Sequence, residues 1–274
     1  MPDPLTLSLL VLAGLLGGFI NTVAASGATV TVPSMIQLGL DAPLANGSNR
    51  LSAVSSCLTG TWRFHRAGVI PWNITLQLAV PITAGSIAGA LLASRLGSNG
   101  VELVVALSLL LVLAALVLRP QRWLQEPAEP VPLQATPPLL LVLAAVGLWT
   151  GLISLGSGIM TLLALVLLGR QSPASANVVK LPLRLLASVV ALVVFLLRGQ
   201  VVWGWAVPLA LASSVGAWIG AKLALGPAAN RWIYGTLLAV VVLEIGSLVL
   251  QLEPALATGL LAELARLTRL AAAA

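Results

Sequence analysis

Pro43-Leu-Ala-Asn-Gly-Ser-Asn-Arg50 is echoed by Pro173-Ala-Ser-Ala-Asn-Val-Val-Lys180, both ends shifted by 130 residues (173 − 43 and 180 − 50). In each stretch a cation follows its proline by seven residues, about 10 Å along a helix. Proline is at home in a first helical turn, so each cation is expected near the start of a long apolar helix. A long basic side chain near a span end can simply snorkel to the headgroups. Two at matching places, beside Asn46 and Asn49 in one case and Asn177 in the other, point instead to a ligand. A duplicated apolar chain with a cation at one place in each half reads as a membrane transporter for something negative, its site lying between the halves.

Composition supports the membrane. Of 274 residues 59% are apolar and 8% charged, and mean hydropathy is +1.05; an ordinary soluble domain carries about 25% charged residues. The net charge of +6 comes from 14 Lys and Arg against 8 Asp and Glu. These cations sit at span ends and inside spans rather than in solvated stripes, which argues against nucleic acid as a partner. Cys57 is the only cysteine, so an intrachain disulfide and a Cys-based metal site are excluded, and a small core residue is expected there. The first basic residue is Arg50, so the first apolar run lacks the charged start of a signal peptide and is expected to be retained.

Five apolar elements are expected in each half. They are Leu5–Ala24, Thr29–Leu40, Leu44–Trp62, Trp72–Arg95 and Gly100–Leu118, then Leu139–Leu155, Ile159–Leu168, Ala174–Leu197, Trp203–Leu225 and Arg231–Leu250. The domain reading is a first transmembrane repeat over 1–118, a Pro-rich cytoplasmic linker over 119–138, a second repeat over 139–250 and an amphipathic tail over 251–274. In that tail Leu256, Leu260, Leu264 and Leu267 share one helical face and Glu263, Arg266 and Arg269 another, as in a helix lying in the interface. The fold class expected is an all-α polytopic membrane protein of two homologous halves, each with four to five transmembrane elements.

The second element of each half is too short to cross about 30 Å of hydrocarbon. Each follows small residues, Ala25-Ser26-Gly27 and Gly156-Ser157-Gly158. Broken backbone at membrane depth survives where it lines protein or a wet cavity. A helix starting there aims free N–H groups and a partial positive charge into that cavity, which suits an anion. Ser26, Gly27, Ser157 and Gly158 therefore join Arg50, Lys180, Asn46, Asn49 and Asn177 as candidate substrate ligands. Arg184 lies one turn beyond Lys180 on the same face and ranks lower, because Val54 stands at the matching place in the first half. Glu244 lies among apolar neighbours and is the candidate for proton coupling. Trp72 and Trp203 read as interfacial anchors. Gly85-x3-Gly89 and Gly216-x3-Gly220 read as close-packing helix faces. His65 between Arg63 and Arg66 belongs to a basic turn.

The chain resembles the TauE/SafE sulfite exporter family, also called the toluene sulfonate uptake permeases. The resemblance rests on Ala45-Asn-Gly-Ser-Asn-Arg50, Arg63-Phe-His-Arg-Ala-Gly-Val-Ile-Pro-Trp72, Ala176-Asn-Val-Val-Lys180, Phe195-Leu-Leu-Arg-Gly-Gln-Val-Val-Trp203 and Gly216-Ala-Trp-Ile-Gly-Ala-Lys222. It implies a multi-pass permease of the bacterial inner membrane, without a prosthetic group, moving sulfite, organosulfonates or related carboxylates. The chain departs from the family at Ala25-Ser26-Gly27-Ala28-Thr29, where members carry a glycine cluster. An anion channel is the alternative. An enzyme is disfavoured by one His, one Cys and no His-Glu-x-x-His. The sequence leaves open the anion, the direction of transport, the coupling ion (H+ or Na+) and a homodimer.

Orientation turns on the broken pair. Counted as one crossing it makes the halves parallel, counted as two it makes them inverted. Either way seven basic residues outside the spans face four, with Arg63, Arg66 and the linker cytoplasmic. Inverted repeats are the expectation, because two half-helices meeting near the midplane make the better anion pocket.

Overall fold

A computed structural model describes residues 3–23, 26–97, 99–101, 104, 107, 132–237, 239 and 240. The regular structure among them is all helix: α1 (Pro4–Val23), α2 (Ala28–Gln37), α3 (Ala42–Arg66), α4 (Trp72–Ala93), α5 (Pro137–Leu152), α6 (Ser157–Leu167), α7 (Pro173–Leu197) and α8 (Trp203–Ala224). Residues 229–237 are also helical. Helix starts follow local chemistry. Prolines occupy the first turns of α3, α5 and α7, where a missing N–H costs nothing. The Ser172 hydroxyl accepts from the Ser175 N–H. Asp3 Oδ1 accepts from the N–H groups of Leu5 and Thr6.

Helices α1, α4, α7 and α8 are each long and apolar enough to cross a bilayer. Leu5, Leu12 and Leu16 on α1, Leu76 and Val80 on α4, and Leu211 and Val215 on α8 are exposed, as lipid-facing side chains should be. The 25-residue α3 has the length to span but not the hydropathy. Asn46, Ser48, Asn49, Arg50, Ser52 and Ser56 are all buried on it, so its polar side faces other helices and not lipid.

Packing fixes the running directions. Gly14 abuts Leu209, Gly18 abuts Ser213, and Gly220 abuts Phe19 and Val23, so α1 and α8 run the same way. Gly85 against Ala144 and Gly89 against Leu148 do the same for α4 and α5. A Cβ on Gly89 would lie 1.9 Å from Leu148 O, which is why that face carries glycine; the paired glycine motifs pack helices, as expected. Ser55 donates to Ala210 O, and Arg63 lies over Trp218, making α3 and α8 parallel. Ser86 donates to Ala187 O, and Ala90 and Ala93 pack with Ala191 and Phe195, making α4 and α7 parallel. Between α3 and α7 the numbers run oppositely, with Arg50 over Phe195 and Gly60 against Leu181.

After α1 the chain turns back. Gly27 abuts Gly17, and Val32 and Met35 share a core cluster with Ala13 and Leu10. The 10-residue α2 is about 15 Å long and folds back along α1. The second break is made by extended Ile153 and by Gly156 at φ +68°, a left-handed conformation that favours glycine. The 11-residue α6 then packs in one cluster with Leu139, Leu143 and Val146 of α5.

The expected elements agree with these helices to within a few residues. Pro137 and Pro138 begin α5 instead of ending the linker. Most of Gly100–Leu118, most of the linker, Arg231–Leu250 beyond residue 240 with its Glu244, and the amphipathic tail lie outside the described residues.

Candidate functional site

Two helices end inside the protein, and an internal end leaves its last carbonyls without a next turn. Side chains from α3 and α7 reach them. On α5, Arg50 Nη1 donates to Thr150 O and, at 3.1 Å, to Ser154 Oγ. Arg50 Nη2 donates to Gly151 O at 2.9 Å and Asn46 Oδ1 at 3.0 Å. Asn46 Nδ2 donates to Leu152 O at 2.9 Å. On α1, Lys180 Nζ donates to Asn21 O at 3.1 Å and Asn177 Nδ2 to Thr22 O at 3.0 Å. A cation at a helix C-terminus also meets the negative end of the macrodipole. The Arg50 guanidinium further lies 5.0 Å from the centre of the Phe195 ring, within cation–π range.

Arg184 is engaged differently. Its Nη1 donates to Asn21 Oδ1, its Nη2 reaches Ser26 Oγ only at 3.5 Å, and its Nε has no partner. It lines a small cavity with Asn21, Asn49, Ser52, Ser56 and Ser154, floored by Gly17, Gly27, Ala28 and Ala53. The cavity holds about 200 Å³ of empty space, of which about 10 Å³ can take the centre of a water. That is room for a single water. Asn49 Oδ1 accepts from Thr31 Oγ1 at 2.6 Å, whereas its buried Nδ2 has no acceptor. Ser26 Oγ donates to Ser154 O at 2.5 Å, tying one break to the other.

Arg50, Lys180 and Arg184 are all at most 1% exposed. Among the described residues the carboxylates are Asp3 and Asp41, both exposed. A buried cation is costly unless it is paired or hydrogen-bonded, and these three meet backbone carbonyls, an amide oxygen and hydroxyls.

The residues expected to bind substrate thus fall into distinct places. Gly27, Asn49 and Arg184 line the cavity and Ser26 adjoins it. Arg50, Asn46, Lys180 and Asn177 lie on the helix ends. Ser157 starts α6 with its hydroxyl on Ser154 O, and Gly158 follows it, buried but away from the cavity. Sequence reasoning passed over Asn21, Ser52, Ser56 and Ser154. The signals were an amide within the apolar run of α1 and two serines four apart, hence on one face of α3. Cys57 is buried in the core as expected. A second cavity, of about 610 Å³, lies between the starts of α4 and α7 and the end of α8, with Ile74, Val178, Val179 and Leu225 in its wall.

Comparison with known proteins gives the chain relatives. The chain is similar to a probable membrane transporter protein, YfcA, of Escherichia coli (strain K12), 26% identical over 226 residues that cover 82% of this chain and 83% of that protein. It is likewise similar to the probable membrane transporter protein ORF9 of a Sinorhizobium species, 25% identical over 82% of this chain and 85% of that one. A probable membrane transporter protein of Haemophilus influenzae is 25% identical over 79% of this chain and 84% of its own length. No solved structure matches the chain. A family model described as sulfite exporter TauE/SafE matches residues 10–245, and with several apolar helices around a buried polar centre this multi-pass membrane protein belongs to the TauE/SafE family of membrane transporters.

Proposed function

We propose that the protein is a secondary transporter of the bacterial inner membrane for a small anion, with sulfite, organosulfonates and related carboxylates as the substrate class, working by alternating access. The observation that carries this reading is a water-sized cavity lined by the buried Arg184 where two broken helices meet, with the buried Arg50 and Lys180 holding those helix ends. Arg184 holds the anion, with Asn49 Nδ2, the Ser52 and Ser56 hydroxyls and the start of α2 as further donors. Arg50 and Lys180 hold the broken helix ends and add positive potential from a low-dielectric surround.

Inverted repeats supply the means of alternation. In support, exchanging α1–α4 with α5–α8 reproduces the packing: α1 on α8 becomes α5 on α4, and α3 on α8 becomes α7 on α4. The opposed directions of α3 and α7 fit the same symmetry. On that reading Arg63, Arg66, Arg170, Lys222 and Arg231 share one side and Arg95 and Arg198 the other, so the first side is cytoplasmic by the positive-inside rule. The 610 Å³ cavity at the start of α7 is then the cytoplasmic vestibule. Glu244 is the proposed proton-coupling group, with Na+ as the other candidate coupling ion.

A channel would use the same cations, but a centre closed down to one water favours a carrier. Calorimetric titration of the purified protein with sulfite tests the site. Saturable binding abolished by Arg184→Gln supports it, and binding indifferent to that change removes Arg184 from the site.

A further inference from the structure

Asn21 belongs to no motif and matches no partner in the second half, yet it holds two of the three central cations. Its backbone carbonyl accepts from Lys180 Nζ and its side-chain carbonyl from Arg184 Nη1. Its Nδ2 donates to Ser56 Oγ at 2.8 Å and to Cys57 Sγ at 3.3 Å, which fixes the amide with Oδ1 toward the arginine. It is 3% exposed and lines the cavity with Arg184.

Arg50 and Arg184 differ in what holds them. The first has four acceptors within 3.1 Å. The second has one close acceptor and a hydroxyl at 3.5 Å; the Nε of each arginine is idle. A buried guanidinium cannot stand without an acceptor. Here a neutral amide oxygen supplies it, and an anion can displace that oxygen because ionic hydrogen bonds are roughly twice as strong.

We infer that Asn21 is a latch: its Oδ1 occupies, in the empty protein, the place on Arg184 that a substrate oxygen takes, so that every anion bound must first displace it. This rests on the transporter reading above. Asn21 is then a positioning residue that sets affinity through Arg184 and contacts no substrate itself. The apparent affinity is the intrinsic one reduced by the fraction of sites unlatched. A stronger latch weakens binding and a missing one tightens it.

The test measures KM and kcat for sulfite counterflow in proteoliposomes with Asn21→Asp and Asn21→Ala. The near-isosteric Asn21→Asp places a permanent carboxylate on Arg184, and KM should rise by about tenfold or more. Asn21→Ala removes the competitor, so KM should fall several-fold while kcat falls with it, because release from the tighter site slows. Asn21→Ser replaces the alanine if that variant does not extract monodisperse. An unchanged KM in the Asp variant overturns the latch. So does a KM that rises in both variants, the signature of a direct ligand or of a damaged fold. If wild type shows no counterflow at all, the transporter reading falls and takes the latch with it; failure of the variants alone leaves that reading standing.

Discussion

Replacing Arg50 by lysine separates a cap from a ligand. Arg50 forks across Thr150 O, Gly151 O, Ser154 Oγ and Asn46 Oδ1. A lysine nitrogen is a single point and cannot span both arms of that fork. At least two of the four acceptors lose their donor, and a hydrogen bond to a charged group is worth about 1.5–3 kcal/mol. Relaxation of the α5 end recovers part of this, which leaves a loss of about 2–4 kcal/mol. For a chain of this size about 1 kcal/mol moves the melting temperature by about 2–4 °C, so Arg50→Lys should melt roughly 5–15 °C below wild type. The assay is thermal unfolding of the detergent-solubilised protein, followed by the loss of its monodisperse peak, with sulfite KM measured alongside on surviving protein. The account expects a large drop in melting temperature and a KM raised only modestly. A variant that melts with wild type while its KM rises tenfold or more would refute the reasoning, because the guanidinium would then be serving substrate and not the helix end.

Other expectations follow from the same contacts. Arg184→Gln should raise the sulfite KM by at least about tenfold and leave the melting temperature within a few degrees, since Arg184 has so few partners to lose; calorimetry and melting read the two effects separately. Gly89→Ala should destabilise the α4–α5 contact by about 1–3 kcal/mol, because its Cβ would sit 1.9 Å from Leu148 O; the solubilised protein should melt lower. The proposed inverted arrangement would place the α3–α4 and α7–α8 turns on opposite sides. In a Cys57→Ser background, Ala67→Cys and Arg198→Cys should be labelled by an impermeant maleimide from opposite faces, and labelling from one face would contradict inversion. The Asp3 carboxyl is held below the usual carboxylate range by the Thr6 hydroxyl, then by the N–H groups of Thr6 and Leu5. Its support for the first turn of α1 is therefore present above the unfolded-state carboxylate pKa and lost as pH falls through the lowered value. Amide exchange at Leu5 and Thr6 should speed up over that acid range.

The repeated proline–cation spacing led to the helix starts at Ala42 and Pro173, and the small-residue breaks led to the half-length α2 and α6, because both are local signals. The use of the cations was not legible. The acceptors of Arg50 lie 100 residues or more away, apart from Asn46, and that of Lys180 lies 159 residues away; no spacing within α3 or α7 encodes them. Ranking by symmetry also pointed away from the cavity. What the two proposed halves have in common is a basic residue and an amide holding a broken helix end. Two polar residues that line the cavity have no such match: Arg184 faces Val54 in the proposed register of the halves, and Asn21 faces Gly151. On the proposed reading, duplication marks the architecture and the unmatched residues mark the site.

The central claim is that the buried cations serve a carrier for a small anion. It is tested most directly by uptake of labelled sulfite into proteoliposomes with and without excess unlabelled sulfite inside. The account predicts saturable uptake accelerated by the inner sulfite and lost in Arg184→Gln. Flux that neither saturates nor responds to preloading would contradict it and make the protein a channel.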